Sequence, residues 1–257
     1  MASPGERVVF GAGPVRELVA RRARDIKAIW VDPKRADRST SDAVAAIVVA
    51  ARAAGIHVED RDRQTLDRAA GDDARHQGVV AWLGAFQYAD LETLVAPAES
   101  GARPLIVALD GVEDPRNLGA ILRSAYLLGA NGVVIPSHRA AQVTAIVAKA
   151  SAGASELLPI AQVGNLVRAL EELREHDVWR VAIDAAEGAQ PIESIDGKLA
   201  LCLVLGAEGT GVRPLVAKNC DFHAVIAMAR SAVGSFNVSV AAAIALYEVN
   251  RQRSQSK

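Results

Sequence analysis

Only two cysteines, Cys202 and Cys220, occur in the 257 residues, and their spacing fits neither a metal-ligand pair nor a disulfide framework. The expectation is a protein of the reducing cytoplasm. No apolar run reaches the roughly 18 charge-free residues of a membrane span, and the start, MASPGERVVFG, lacks the basic-then-apolar order of a signal peptide. No membrane partner is expected. The five histidines are scattered without metal-ligand spacing, so no metal is expected, and no Ser/His/Asp order points to a hydrolase. Net charge is scarce as well, −1 overall, with 14 Lys/Arg against 12 Asp/Glu in residues 1–85. Charge alone does not establish a polyanionic partner. Two local basic clusters stand out nonetheless: Arg21, Arg22, Arg24 and Lys27, then Arg61, Arg63, Arg68 and Arg75.

What the chain does have is alternation of helix and strand patterns. Residues 1–83 read as a small α/β unit, with helices over 15–24 and 39–54 and strands at 27–31, 56–58 and 78–82. Ser41 is the expected N-cap of the second helix and Gly55 its stop. His76-Gln77-Gly78 precedes the last strand and reads as a turn or as a ligand contact. Residues 84–103, with Pro97, Ser100 and Gly101, read as a linker. Residues 104–257 read as a larger unit, with strands at 105–109, 133–135, 179–184, 201–205 and 224–228 and helices over 118–128, 144–150, 165–176 and 236–251. That order predicts an α/β fold with a mostly parallel sheet.

The stretch 201–239 carries the densest chemistry. A buried strand, 201–205, ends in Gly206-Ala207-Glu208-Gly209-Thr210-Gly211, and strands ending in glycine loops are where open α/β proteins place ligands. One carboxylate (Glu208), one amide (Asn237) and the hydroxyls of Thr210, Ser235 and Ser239 sit among small or apolar residues. The glycine order does not match a dinucleotide fingerprint, and no Gly-Lys-Ser/Thr follows for a phosphate loop. A tight turn without a ligand accounts for the glycines but leaves Glu208 unexplained. Arg123, six residues beyond Asn117 in an apolar helix, reads either as a solvent-facing side chain or as a partnered charge.

Three segments together resemble the SpoU/TrmH branch of the SPOUT RNA methyltransferases: Asn117-Leu118-Gly119-Ala120-Ile121-Leu122-Arg123, Leu203 through Gly211, and Ser235-Phe236-Asn237-Val238-Ser239-Val240-Ala241. The first unit is similar to the L30e-like substrate-binding domain of that family, so the likeness covers nearly the whole chain. The resemblance implies a carboxyl-terminal trefoil-knotted (α/β knot) domain over 104–257, with an L30e-like RNA-binding domain over 1–83. It implies S-adenosyl-L-methionine as methyl donor, held near Leu205, Gly206, Ile226, Met228 and Phe236, and a homodimer formed through the knot domain. Arg123 would activate a ribose 2′-hydroxyl across that dimer, Asn117 and Glu208 would orient it, and Ser235 and Asn237 would hold the loop and the nucleotide.

The implied reaction is methylation of a guanosine ribose 2′-hydroxyl in 23S rRNA. A tRNA or another rRNA site remains open as the target. So does an RNA-binding protein with weakened catalysis, because the family pattern Ile-Pro-Met-x-Gly-x-Val-x-Ser-Leu-Asn is one residue longer here. Ala227 replaces its proline, and Arg230 falls near its glycine.

Overall fold

The computed structural model describes residues 7–33, 38–71, 75–96, 103–230 and 234–255, with the side chains of 38–41 left out. The expected contributions of Pro97, Ser100 and Gly101 lie outside the described residues, as do residues 231–233 of the longer loop. The chain divides into two compact units: residues 1–87 with 143–157, and 88–142 with 158–257. By its contacts the segment 143–157, placed by pattern in the second unit, groups with the first.

In the first unit the order is β1 (Arg7–Phe10), α1 (Ala12–Arg22), β2 (Ile26–Val31), α2 (Arg38–Ala53), β3 (Val58–Asp60), α3 (Arg63–Ala70) and β4 (Val79–Leu83). The sheet runs β1-β4-β2-β3, antiparallel except for β2 with β3. One face buries Val9, Leu18, Ile29, Ile47 and Ala81, while the other packs Val80 against Leu66 and Ala70 of α3. Strand β1 and helix α3 were not foreseen. The helix is fixed by Asp62, whose side chain accepts from the Thr65 N–H at 2.7 Å. Helix α2 begins three residues ahead of Ser41, so Ser41 is not its cap.

The late segment is tied to β1 by a fork. Arg7 Nε and Nη2 donate to Glu156 Oε1 and Oε2 at 2.9 and 2.8 Å, with both side chains buried. Two parallel charge-assisted bonds satisfy both ions where neither meets water.

The second unit contains α4 (Leu91–Val95), β5 (Leu105–Asp110), α5 (Pro115–Leu127) and β6 (Gly132–Pro136). Helix α6 (Ala145–Ala150) returns to the first unit. Then come β7 (Ile160–Val163), α7 (Leu166–Glu175), β8 (Trp179–Ile183), β9 (Gln190–Pro191), β10 (Leu201–Gly206), α8 (Pro214–Ala217), β11 (Phe222–Val225) and α9 (Val238–Ser254). All seven strands are parallel in the order β7-β6-β5-β10-β8-β11-β9. One face buries Ile106, Ala108, Cys202 and Val204 beneath α4, α7 and α8. Alternate strand residues point the other way, where α9 packs on β10 and on α5. Both faces are covered, which is why these strands read as continuous apolar runs.

The sheet was expected to be mostly parallel, and it is; β7 and β9 were not foreseen. The strand expected over 224–228 spans Phe222–Val225 instead. Its partner β9 is two residues long and ends in Pro191, which has no N–H to extend the ladder. Ile226 and Met228 therefore fall in the loop beyond the strand.

Candidate functional site

The carboxyl ends of β8, β10 and β11 open onto a cavity of about 430 Å³, within the range of small-molecule sites. Its lining includes Leu205, Gly206, Glu208, Ile226, Met228, Ser235 and Phe236. The strand order reverses between β5 and β10, and the cavity opens on the β8 side of that switch point, beside the place where open parallel sheets gather ligands.

The glycine loop is held closed by close backbone approach. A Cβ on Gly206 would lie 1.9 Å from the Gly211 carbonyl carbon and 2.1 Å from the Val212 nitrogen, so no other residue fits there. Gly211 N–H donates to the Ala207 carbonyl at 2.9 Å, and Gly211 takes φ +67° to do so. Beyond the loop, Arg213 is anchored to Asp110 at the end of β5, the residue that faces Gly206 across the ladder.

Two helix starts deliver the amides. Helix α5 begins at Pro115, earlier than the expected Leu118, because Asp114 accepts from the Arg116 N–H at 2.8 Å and proline suits the first position. Asn117 thus sits in the first turn. Helix α9 begins at Val238, later than the expected Phe236, with Asn237 as its N-cap: Asn237 Oδ1 accepts from Ser239 N at 2.9 Å and from Ser239 Oγ at 2.6 Å. The cap leaves Asn237 Nδ2 free to donate. It bonds Asn117 Oδ1 at 3.1 Å and also Glu208 Oε1, while Asn117 Nδ2 donates to the same Glu208 oxygen at 3.3 Å. The three motif segments, far apart in sequence, thus meet side chain to side chain at the cavity.

Arg123 is exposed on α5 and lies outside the cavity lining. Arg230 is also exposed and outside the lining, so its side chain does not fill the space. His76 and Gln77 are occupied by the fold. The Gly78 N–H donates to His76 Nδ1 at 3.0 Å, which puts the ring proton on Nε2, 2.9 Å from Asp67 Oδ1. Gln77 Oε1 accepts from the Ala12 N–H at 2.8 Å. Both side chains stabilise the turn, one of the two readings expected for this pair.

Of the basic clusters, Arg21, Arg61 and Arg63 face Glu17, Glu59 and Asp67. Arg22 bonds Asp25 at 2.6 Å and the Glu156 carbonyl at 2.9 Å. Burial pushes the Cys220 thiol up to about 12 and the Cys202 thiol further, so neither is an activated nucleophile. Among the described residues, no group of three or more His, Cys, Asp or Glu is placed to hold a metal ion. None of the described helices is long and apolar enough to cross a membrane.

The features not anticipated are Asp110, Arg213, Asp184 and His223. Asp110 and Asp184 carried one legible signal, a carboxylate at or just past the carboxyl end of a buried strand.

Comparison with known proteins agrees with this geometry. Residues 104–247 match the SpoU rRNA Methylase family, and residues 8–89 match the RNA 2′-O ribose methyltransferase substrate binding family. The chain belongs to the SpoU family and is an RNA methyltransferase. More particularly, it is 41% identical over 249 residues to the 23S rRNA (guanosine-2′-O-)-methyltransferase RlmB of Ralstonia nicotianae, covering 96% of each chain. It is 39% identical over 246 residues to the putative TrmH family tRNA/rRNA methyltransferase YacO of Bacillus subtilis, covering 95% of each. Among solved structures, the AdoMet-bound rRNA methyltransferase of Sinorhizobium meliloti superposes with a TM-score of 0.75 at 25% identity, covering 96% of this chain and 87% of that one.

Proposed function

We propose that this protein methylates the ribose 2′-hydroxyl of a guanosine in 23S rRNA, using S-adenosyl-L-methionine held in the cavity at the ends of β8, β10 and β11. The observation that carries the reading is the side-chain junction of Asn117, Glu208 and Asn237 at that cavity. The lining fits the donor: Leu205, Ile226, Met228 and Phe236 offer apolar surface to a purine, and Gly206 keeps the backbone close. When bound, the donor supplies a methyl group on a sulfonium, a good leaving group that needs no covalent enzyme intermediate.

The chain's own residues then have to orient and polarise the hydroxyl. Arg123 is the candidate. A guanidinium stays protonated, so its easier role is to hold the flanking phosphate and stabilise developing oxyanion charge. Its exposure on α5, outside the lining, suits service to a partner's cavity in a homodimer. Leu127 on α5 and Val240 and Tyr247 on α9 are exposed apolar residues on two packed helices, as a second copy would require. Asn117 and Glu208 would set the loop, and Ser235 and Asn237 would hold the donor loop and the nucleotide.

The knotted threading between Gly206 and Asn237, the RNA-binding role of residues 1–83 and the cytoplasmic location belong to the same proposal. Support comes from the RlmB relatives and from the family matched over residues 8–89. Ribose-methylation mapping across rRNA and tRNA in a strain lacking this protein tests it. Loss of one guanosine 2′-O-methyl mark in 23S rRNA is expected; loss confined to tRNA would overturn the rRNA assignment.

A further inference from the structure

The charged residues lining the cavity are Asp184 and Glu208, both acidic; no Lys or Arg lines it among the described residues. Glu208 is committed to the amides of Asn117 and Asn237. Asp184 has no such commitment to the motif segments. It follows β8 at the carboxyl edge of the sheet, with its backbone N–H donated to the Ala224 carbonyl at 3.0 Å. Its side chain is only 17% exposed and receives His223 Nδ1 from the neighbouring β11 at 3.1 and 3.2 Å. The Ala186 N–H is a weaker third contact at 3.4 Å. An ionised carboxylate can only accept, so Nδ1 carries the ring proton. A single N–H donor fixes the direction of the carboxylate, and with the ring neutral it leaves the carboxylate charge uncancelled.

We propose that Asp184, oriented by His223, is a specificity residue that favours the cationic methyl donor over its neutral product. The inference rests on the donor reading above. S-Adenosylmethionine carries a sulfonium and an ammonium against one carboxylate, a net charge of about +1 near neutral pH, whereas S-adenosylhomocysteine has lost the sulfonium charge. A poorly screened negative charge in the wall acts on that difference, and shared hydrogen bonds to adenosine do not. The arrangement therefore weakens product binding relative to donor binding, which helps turnover when release is slow.

The test is calorimetric titration of the full chain with each ligand separately, at mildly alkaline pH. The variants are Asp184→Asn, which keeps shape and removes charge, and His223→Asn, which removes the ring and keeps an N–H donor. Asp184→Asn is expected to raise the donor's Kd about tenfold and the product's by less than about twofold. His223→Asn is expected to keep most of the discrimination. Equal losses for both ligands, or no loss for either, would overturn the proposal. A wild-type protein that binds neither ligand would instead defeat the donor reading itself. A folding failure of Asp184→Asn is read from its melting curve, and raising the salt on the wild type then decides. The donor-to-product preference should narrow with salt, and a salt-independent preference contradicts the charge argument.

Discussion

Asp110 and Arg213 are joined by three contacts. The Arg213 backbone N–H donates to Asp110 Oδ2 at 2.8 Å, and its Nε and Nη2 reach Oδ1 at 2.7 and 2.5 Å. The carboxylate is buried and the guanidinium is 59% exposed, so the link runs from the sheet's interior to its rim. The hydrogen bond to Asp110 raises the Arg213 pKa above its ordinary value, so the guanidinium stays charged across the working range. Because Arg213 closes the loop that begins at Gly206, the pair pins the segment bearing Glu208. Asp110→Ala is expected to destabilise the protein by about 2 kcal/mol, as for a hydrogen-bonded charge, and to weaken donor binding as well. Asp110→Asn should restore part of both by keeping the bond from the Arg213 N–H. Thermal melts with donor titration check this; unaltered donor affinity in Asp110→Ala would detach the pair from the site.

Asn237 has two jobs that one substitution separates. Asn237→Asp keeps an N-cap acceptor for Ser239 but sets a second carboxylate against Glu208. The cap itself is kept, so any loss of stability comes from the like-charge contact with Glu208, about 0.5–1 kcal/mol at this exposed site, while transfer activity falls steeply. Asn237→Ala should additionally lose about 1 kcal/mol with the cap. Equal activity in Asn237→Asp would mean that the amide contact to Glu208 is dispensable.

RNA affinity tests the basic surface of residues 16–27. Arg22 is unsuitable for substitution because it bonds Asp25 and the Glu156 carbonyl. Arg21 and Arg24 are exposed. The double change Arg21→Glu with Arg24→Glu is expected to reduce the slope of log affinity against log salt by about 1 to 2, with the melting point lowered only slightly by replacing the exposed Arg21–Glu17 pair. An unchanged slope moves the RNA surface elsewhere.

Acid sensitivity is expected in α9. Arg251 donates to Glu248 at 2.8 and 2.7 Å, and this bonding lowers the Glu248 pKa from 4.5. A depressed carboxylate contributes stability above its unfolded value and loses it as pH falls through the folded one. The contribution is therefore intact at neutral pH and disappears below 4.5. Melting points measured down the acid limb should fall less for Glu248→Gln than for wild type; superimposable acid limbs would show that the pair does not matter.

Much of this was legible in the sequence, for identifiable reasons. Strands β5, β6 and β10 announced themselves because burial on both faces leaves uninterrupted apolar runs. Asn117, Glu208 and Asn237 could be named from three motif segments, and the structure brings them together. Their mutual bonds were not legible, since they depend on two helix starts that shifted by three and two residues. Pro115 and the Asn237 cap decide those starts, and apolar periodicity does not report caps. Strand β9 was hidden because two residues carry no period. Arg7 with Glu156 was hidden because a pair separated by 149 positions leaves no local mark.

The central claim is methyl transfer to a guanosine 2′-hydroxyl with Arg123 as the activating residue. Its most direct test incubates wild type and Arg123→Ala with labelled S-adenosylmethionine and 23S rRNA, digests the RNA to nucleosides and identifies the labelled one by mass, beside a donor titration. The account predicts 2′-O-methylguanosine from the wild type and none from Arg123→Ala, with donor affinity unchanged to within about twofold. Label on a base, or undiminished transfer by Arg123→Ala, would contradict it.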